Sequence, residues 1–283
     1  MPEGHTIHRQ AREHNRVLRG QAVRADSPQG RFVEGSAAID GRTLLRAEAF
    51  GKHLFHRYDG EIWLHVHLGL IGGWQTGELP MPMPRGAVRL RLWGAGRWWE
   101  LRGAITCEVL HRAEVALIRD TLGPDPLRRD ADPAKAYARI ARSRAPIGAL
   151  LMDQAVLAGV GNVYRAELLF RHGLDPRRPG RHIGPEQWQA MWTDLVALMR
   201  EGVRRNRIDT VAREHRPRAM GRAPRRDRHG GEVYVYRRAG DPCLVCGTPV
   251  CTDLLLTRNL FWCPTCQPVR LNQSAGAPGT AAG

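Results

Sequence analysis

Cys243-Leu-Val-Cys246 and Cys263-Pro-Thr-Cys266 are two Cys-x2-Cys pairs with sixteen residues between them. This is the spacing of a four-cysteine zinc ribbon. Each pair sits on a tight knuckle, Cys246-Gly247 and Cys263-Pro264, which lets two thiolates face one ion. Four protein ligands close a tetrahedron, so the expected cofactor is one structural Zn2+ that holds no reactive water. The bland alternative, four ordinary buried cysteines, seldom produces such spacing. Cys107 and Cys251 fall outside the pattern and are expected to be inert small residues. A ribbon alone most often serves as a DNA- or protein-binding module, so other motifs must decide whether the chain carries chemistry.

Moving back from the ribbon, Glu232–Arg238 is expected to be a short strand. Gly202–Gly231 is polar, rich in arginine and without periodicity, and is expected to be a loop, mobile when free and partly ordered on a ligand. Pro185 opens a helix with Trp188, Met191, Trp192, Leu195 and Leu198 at spacings of three and four, a core stripe. Asn162 opens another that ends at Gly173, a natural C-cap. Before it come the turn Leu157-Ala-Gly-Val-Gly161, a short helix over Ile147–Asp153, and a helix start at Asp132-Pro133. Leu122-Gly-Pro-Asp-Pro126 marks a break.

N-terminal to that break the period changes to two. Strands are expected over Thr43–Phe50, His53–Tyr58, Ile62–Leu68 and Val88–Trp93, the last turning through Gly94-Ala-Gly96 into Arg97–Leu101. One early helix, Thr6–Leu18 with Thr6 as its cap, precedes them. The expected layout is α+β and multidomain: an N-terminal β-sandwich or barrel over 1–125, a helical unit with the basic loop over 126–230, the ribbon over 231–270 and a disordered tail over 271–283.

Bulk properties narrow the partners. Lys and Arg number 43 against 28 Asp and Glu, a net charge of +15 with a pI near 10.7. Such a chain is drawn to polyanions. Its 42% hydrophobic content is too high for a disordered chain. The best apolar stretch, Ile147–Val163, is broken by Asp153, Gln154 and Asn162 and contains three glycines, so no membrane partner is expected. The N-terminus lacks an apolar signal core. The expected setting is therefore a reducing cytoplasm.

Two stretches suggest chemistry. A glycine-rich turn leading into Asn162 would expose backbone N–H groups to an anion, and the Asn162 amide adds to such a phosphate clamp; a plain interhelical turn would look the same. At the other end, removal of Met1 would leave Pro2 as a free secondary amine. Such an amine titrates near pH ~8 and can attack an electrophilic sugar carbon to form an iminium. Glu3 beside it could act as the acid. For an arbitrary chain, Pro-Glu would simply be a disordered start.

Taken together and in order, Met1-Pro-Glu-Gly-His-Thr6, Gly51-Lys-His-Leu-Phe55, Asp153-Gln154 through Gly159-Val-Gly-Asn162, and Arg258 to Cys266-Gln267 resemble the formamidopyrimidine-DNA glycosylase / endonuclease VIII family. The likeness is greatest to its actinobacterial endonuclease VIII branch and runs from Pro2 to Gln267. It implies an N-terminal β-sandwich, a helix–two-turn–helix module and a zinc ribbon, with damaged duplex or partly single-stranded DNA in the cleft. It further implies a monomer acting in the bacterial cytoplasm, on the nucleoid when bound to DNA.

The resemblance also implies roles. Pro2 matches the nucleophile at C1′ and Glu3 the proton donor. Lys52 matches the lysine that contacts phosphate and assists β-elimination, and Arg258 the arginine that binds phosphate and promotes δ-elimination. Asn162 matches the phosphate-binding asparagine. Leu70 matches the side chain that fills the gap left by a flipped nucleotide; by itself it could equally be a buried strand leucine.

The start Pro-Glu-Gly is that of endonuclease VIII, not the Pro-Glu-Leu of the oxidised-purine branch. Leu101-Arg-Gly-Ala104 stands where an Arg-Arg-Phe wedge would be, and Leu70-Ile71 is not a Gln-Leu-Tyr wedge. The expectation is a bifunctional glycosylase/AP lyase favouring oxidised pyrimidines. A lyase without a working base pocket and a non-catalytic damaged-DNA binding protein are the alternatives. His65-Val-His67 lacks an adjacent carboxylate in sequence and is expected to be structural.

Overall fold

The computed structural model describes residues 2–226 and 231–269. The expected tail, 271–283, and the fate of Met1 lie outside the described residues. Helix α1 (Gly4–Leu18) packs Ile7, Ala11, His14 and Leu18 inward. It opens two residues before Thr6, with Glu3 in extended conformation at its N-cap, so the expected Thr6 cap is overturned. The reason is tertiary: the Gly4 N–H is bonded to the carbonyl of Gly159, 2.8 Å away.

Eight antiparallel strands follow in the order β5-β7-β6-β1-β2-β3-β4-β8. They are β1 (Ala22–Asp26), β2 (Arg42–Phe50), β3 (His53–Tyr58), β4 (Ile62–His67), β5 (Gly73–Glu78), β6 (Leu90–Gly94), β7 (Arg97–Arg102) and β8 (Thr106–His111). Strand β1 belongs to both halves: Ala22 and Val23 pair with β2, whereas Arg24, Ala25 and Asp26 pair with β6. One sheet thus folds over itself, and Leu18, Val23, Leu44, Leu64, Leu90, Leu92, Trp99 and Leu101 fill the space between its layers. The β6–β7 turn is Ala95-Gly96, both with positive φ, as a two-residue hairpin turn requires. Two further helices, α2 (Val33–Ile39) and α3 (Arg112–Asp120), correct the expectation of a single helix in this part. Both are short, and tertiary contact rather than a long apolar period holds them.

The helical part comprises α4 (Pro133–Ile140), α5 (Ile147–Leu150), α6 (Asn162–Arg171) and α7 (Pro185–Arg205). Asp132 caps α4 by accepting the Ala134 N–H at 2.9 Å. Trp188, Met191, Trp192, Leu195 and Met199 of α7 are buried, and Leu198 packs at the edge of the same core. Helix α7 runs beyond Gly202 to a left-handed C-cap at Asn206, so the basic loop begins later than expected. The C-terminal hairpin pairs β9 (Cys251–Leu255) with β10 (Arg258–Trp262). The strand expected over Glu232–Arg238 does not form. The N–H groups of Tyr234, Val235 and Tyr236 instead converge on the buried carboxylate of Glu167 at 2.7, 2.9 and 2.9 Å. A side chain has taken the place of a partner strand.

Several histidines are buried as neutral rings. His14 and His56 meet at 2.8 Å in the sandwich core. Burial drives His56 down to about 3 and His5 to about 4 from 6.5, and His14 lies well below its usual range. A histidine whose folded pKa is depressed binds fewer protons folded than unfolded between the two values. Its contribution is intact above about pH 6.5 and is lost progressively as pH falls below it. At pH 5 each such ring should cost on the order of 2 kcal/mol. The thermal midpoint should therefore fall between pH 7 and pH 5, and a flat profile across that range would contradict the neutral-core assignment.

Candidate active site

A cavity of about 580 Å3 lies where the sandwich, the helical part and the C-terminal hairpin meet. It brings together Pro2, Glu3, Lys52, Leu70, Asn162 and Arg258, with His67, Ile105, Asp153 and Leu256 also on its wall. Residues from opposite ends of the chain thus share one concavity.

Backbone-to-backbone contact builds its floor. A Cβ on Gly4 would come within 2.9 Å of the Gly159 Cα, and one on Gly51 would reach Ala158 Cβ at 3.0 Å. At Gly161 a side chain would run into the Glu3 carboxyl. Close approach therefore explains Gly4, Gly51 and Gly161, and a φ of +92° explains Gly159.

Glu3 is buried, and its carboxylate docks on the N-terminus of α6. Oε1 accepts the Val163 N–H at 2.8 Å, and Oε2 accepts those of Gly161 at 2.9 Å and Tyr164 at 3.4 Å. The anion gripped by this turn is the chain's own carboxylate, which corrects the expectation that its backbone clamps a phosphate. Burial raises the Glu3 pKa, while the Lys52 charge and the three N–H donors oppose that rise. Burial lowers the Lys52 pKa; the Glu3 charge opposes this and the Arg258 charge adds to it.

Lys52 follows Gly51, whose φ is +57°. The Gly51 N–H donates to Asp125 Oδ2 at 2.8 Å, and the same oxygen lies 2.7 Å from His8 Nε2 on α1. Asp125 thus ties the lysine turn to the helix that begins at the catalytic candidates Pro2 and Glu3. It was legible only as part of a chain break.

Asn162 donates from Nδ2 to the carbonyl of Asn259 at 2.9 Å. Arg165, buried beneath it, donates to Asn162 Oδ1 and to the same carbonyl, the latter at 2.8 Å. These bonds join α6 to the residue after Arg258, whose side chain is exposed at the cavity. Arg165 sits within an otherwise buried helix face, and no local sequence pattern marks its role. Gln154 braces the glycine turn, donating to the carbonyls of Met152 and Val160 and accepting the Gly159 N–H.

Leu70 is 47% exposed, so it is not a buried strand residue. Leu68 fills that place in the core. A carboxylate distant in sequence lies beside His65-Val-His67: Glu108, on the neighbouring strand, meets His65 Nδ1 at 2.8 Å, and His65 Nε2 meets His53 Nδ1 at 2.9 Å.

The sulfurs of Cys243, Cys246, Cys263 and Cys266 all lie within 4.8 Å of one another. The Cys243–Cys266 and Cys246–Cys263 separations are 3.8 and 3.5 Å. Zn–S bonds of about 2.3 Å in a tetrahedron place sulfurs roughly 3.8 Å apart, so the four thiols fit one metal ion. No helix among the described residues is long and apolar enough to cross a membrane.

Comparison with known proteins agrees with this arrangement. Residues 1–102 match the formamidopyrimidine-DNA glycosylase N-terminal domain, and residues 122–213 match the formamidopyrimidine-DNA glycosylase H2TH domain. Endonuclease 8 1 of Mycobacterium tuberculosis is 54% identical over 271 residues, covering 94% of this chain and all of that protein. The solved structure of the MutM (Fpg) protein from Thermus thermophilus is 29% identical with a TM-score of 0.74, covering 94% of this chain and 98% of that one. The Lactococcus lactis Fpg in complex with abasic-site DNA has a TM-score of 0.75 at 19% identity, covering 94% and 99%.

Cys246→Ser should remove one of the four thiolates, reduce bound metal well below one equivalent and lower the thermal midpoint. Elemental analysis alongside melting checks this. Full metal content in the variant would contradict the four-thiolate site.

Proposed function

The chain belongs to the formamidopyrimidine-DNA glycosylase family, DNA glycosylases of base excision repair, and we propose that it is bifunctional, excising oxidised pyrimidines and then cutting the strand as an AP lyase. The observation that carries the reading is the convergence of Pro2, Glu3, Lys52 and Arg258 on one cavity. A module that only binds DNA has no need for a secondary amine beside a buried carboxyl. The net charge of +15 supports DNA as the partner. So does the abasic-site DNA held by the Lactococcus relative.

In the proposed reaction, Met1 is removed and the Pro2 nitrogen attacks C1′ of a flipped nucleotide. The N-glycosidic bond breaks, and the base leaves with the proton that the Pro2 nitrogen gives up on bonding to C1′. Opening of the C1′–O4′ bond, with a proton delivered to O4′, gives an iminium linking Pro2 to C1′. Glu3 supplies that proton, a task suited to a carboxyl whose pKa is raised by burial. Loss of a C2′ proton then expels the 3′ phosphate, and loss of a C4′ proton expels the 5′ phosphate. Water finally releases the sugar remnant from Pro2. Lys52 and Arg258 hold the phosphates flanking the sugar and offset charge on the departing groups. The Asn162 amide, anchored through Asn259, adds a neutral donor on the same side. A structural zinc on the four cysteines would hold the hairpin that delivers Arg258.

Borohydride should trap a covalent adduct on residue 2 with an oligonucleotide carrying one abasic site. Pro2→Gly should keep DNA binding and lose most cleavage, on the order of a hundredfold or more in rate; undiminished cutting would sink the iminium assignment. Arg258→Ala should leave the β-elimination product and reduce the δ-elimination product on a denaturing gel. An unchanged product ratio would remove that role from Arg258.

A further inference from the structure

Loss of a C2′ proton needs a base, and a row of histidines behind the cavity wall is used by none of the steps above. Strands β3, β4 and β8 set His53 opposite His67 and His65 opposite Glu108, so all four side chains stand on one face of the sheet. Glu108 Oε1 lies 2.8 Å from His65 Nδ1, and His65 Nε2 lies 2.9 Å from His53 Nδ1. The His53 and His67 rings are 4.8 Å apart. Among the described residues, His67 is the one histidine that lines the cavity.

The Glu108 side chain is 46% exposed and that of His65 only 4%. The row therefore has one end in water, a buried middle and its other end at the cavity. The histidine pair in the sandwich core is different. There His14 meets His56, and His56 ends on the Tyr58 hydroxyl at 3.3 Å, with all three residues buried. That pair is sealed, whereas the row is open at both ends.

Hydrogen bonding fixes the tautomers in the row. An ionised carboxylate only accepts, so His65 carries its proton on Nδ1. Its Nε2 then accepts from His53 Nδ1, which leaves His53 Nε2 as a bare lone pair. Burial depresses His53 to about 3 and lowers His65 and His67 as well; the Lys52 charge adds to the effect at His53 and His67. All three rings are therefore neutral at pH 7 and able to accept a proton.

We propose that His67, His53, His65 and Glu108 form a proton relay, in which His67 takes the C2′ proton during β-elimination and the row passes a proton on to Glu108. This rests on the lyase reading above. As the C2′–H bond breaks, its electron pair forms a C1′–C2′ double bond and the iminium pair returns to the Pro2 nitrogen. The resulting enamine expels the 3′ phosphate from C3′. His67 takes the proton on its bare nitrogen and gives the proton of its other nitrogen to His53 Nε2. The His53 Nδ1 proton moves to His65 Nε2, and the His65 Nδ1 proton moves to the Glu108 carboxylate. Every ring ends neutral, so no charge is left in the buried middle of the row. Once the product has left, exchange with water at Glu108 and at the cavity restores the first tautomers.

The test uses the full chain in single turnover on a duplex with a pre-formed abasic site, so that base excision is bypassed. Two variants keep the packing. In Glu108→Gln the amide oxygen still accepts from His65 but takes up no proton. In His65→Phe a ring remains to stack on Phe55, whose centre lies 4.6 Å from that of His65 at an interplanar angle of 13°. Both should slow β-elimination roughly tenfold, part of the ~hundredfold that a positioned base contributes. Both should keep the wild-type yield of borohydride-trapped adduct. The solvent deuterium isotope effect on elimination, large in the wild type because several protons move together, should fall in both. Wild-type elimination rates in both variants, a loss of trapping equal to the loss of elimination, or an unaltered isotope effect would each overturn the relay. Trapping on residue 2 with wild-type elimination in both variants removes the relay alone. Absence of any adduct with the wild-type chain removes the lyase reading and the relay with it.

Discussion

The carboxylate of Glu3 on the N-terminus of α6 is the contact around which the molecule is organised. Three backbone N–H groups point at one side chain from 158 to 161 residues away in sequence. Helix N-termini carry partial positive charge and unsatisfied donors, and here a buried anion answers both. The same contact brings the start of α1 against the glycine turn and so fixes where residue 2 sits. It also leaves the carboxyl in competition between burial, which favours the proton, and the donors and Lys52, which favour the charge. A group balanced this way is suited to gaining and losing a proton during a reaction.

A second set of bonds carries the arrangement to the C-terminal hairpin. Arg165 and Asn162 share the carbonyl of Asn259, and Arg177 stacks over Trp262 at 4.3 Å. Leu256 and Thr257, with φ of 47° and 63°, form the tight turn immediately before Arg258. The four cysteines flank the hairpin, two before β9 and two after β10, and their sulfurs gather at its other end. Asp125 performs the matching task for Lys52 on the sandwich side. Lys52 and Arg258 thus each follow or precede a residue anchored from outside their own strand, Gly51 by Asp125 and Asn259 by Asn162 and Arg165.

Much of this was legible in the sequence. The cysteine spacing, the alternation in β2, β3, β4 and β6, and the apolar stripe of α7 are local signals, and each element appeared within a few residues of its expected place. Elements set by distant partners were not legible. Nothing near Glu232–Arg238 reveals that Glu167 replaces a neighbouring strand, and nothing near Gly161 says which anion will meet it. The short helices α2 and α3 likewise depend on the sheet they pack against. In the candidate site, Pro2, Glu3, Lys52, Asn162 and Arg258, which line the cavity, lie in sequence motifs, whereas Ile105 and Leu256 on the same wall do not. Those that hold them in place, Asp125 and Arg165, were missed because their partners are long-range.

The seam between Gly4 and Gly159 also bears on how the chain folds. The sandwich and the helical part can each collapse around a core of their own, but the cavity closes only when residue 3 meets residues 161–164 and residue 259 meets Asn162. Contacts of such sequence separation carry the largest loop-closure cost and form late. A chain in which these contacts have not formed has no closed cavity. The start of the chain meets Lys52, Asn162 and Arg258 only in the finished molecule, so the cavity's cationic wall is a product of the complete fold.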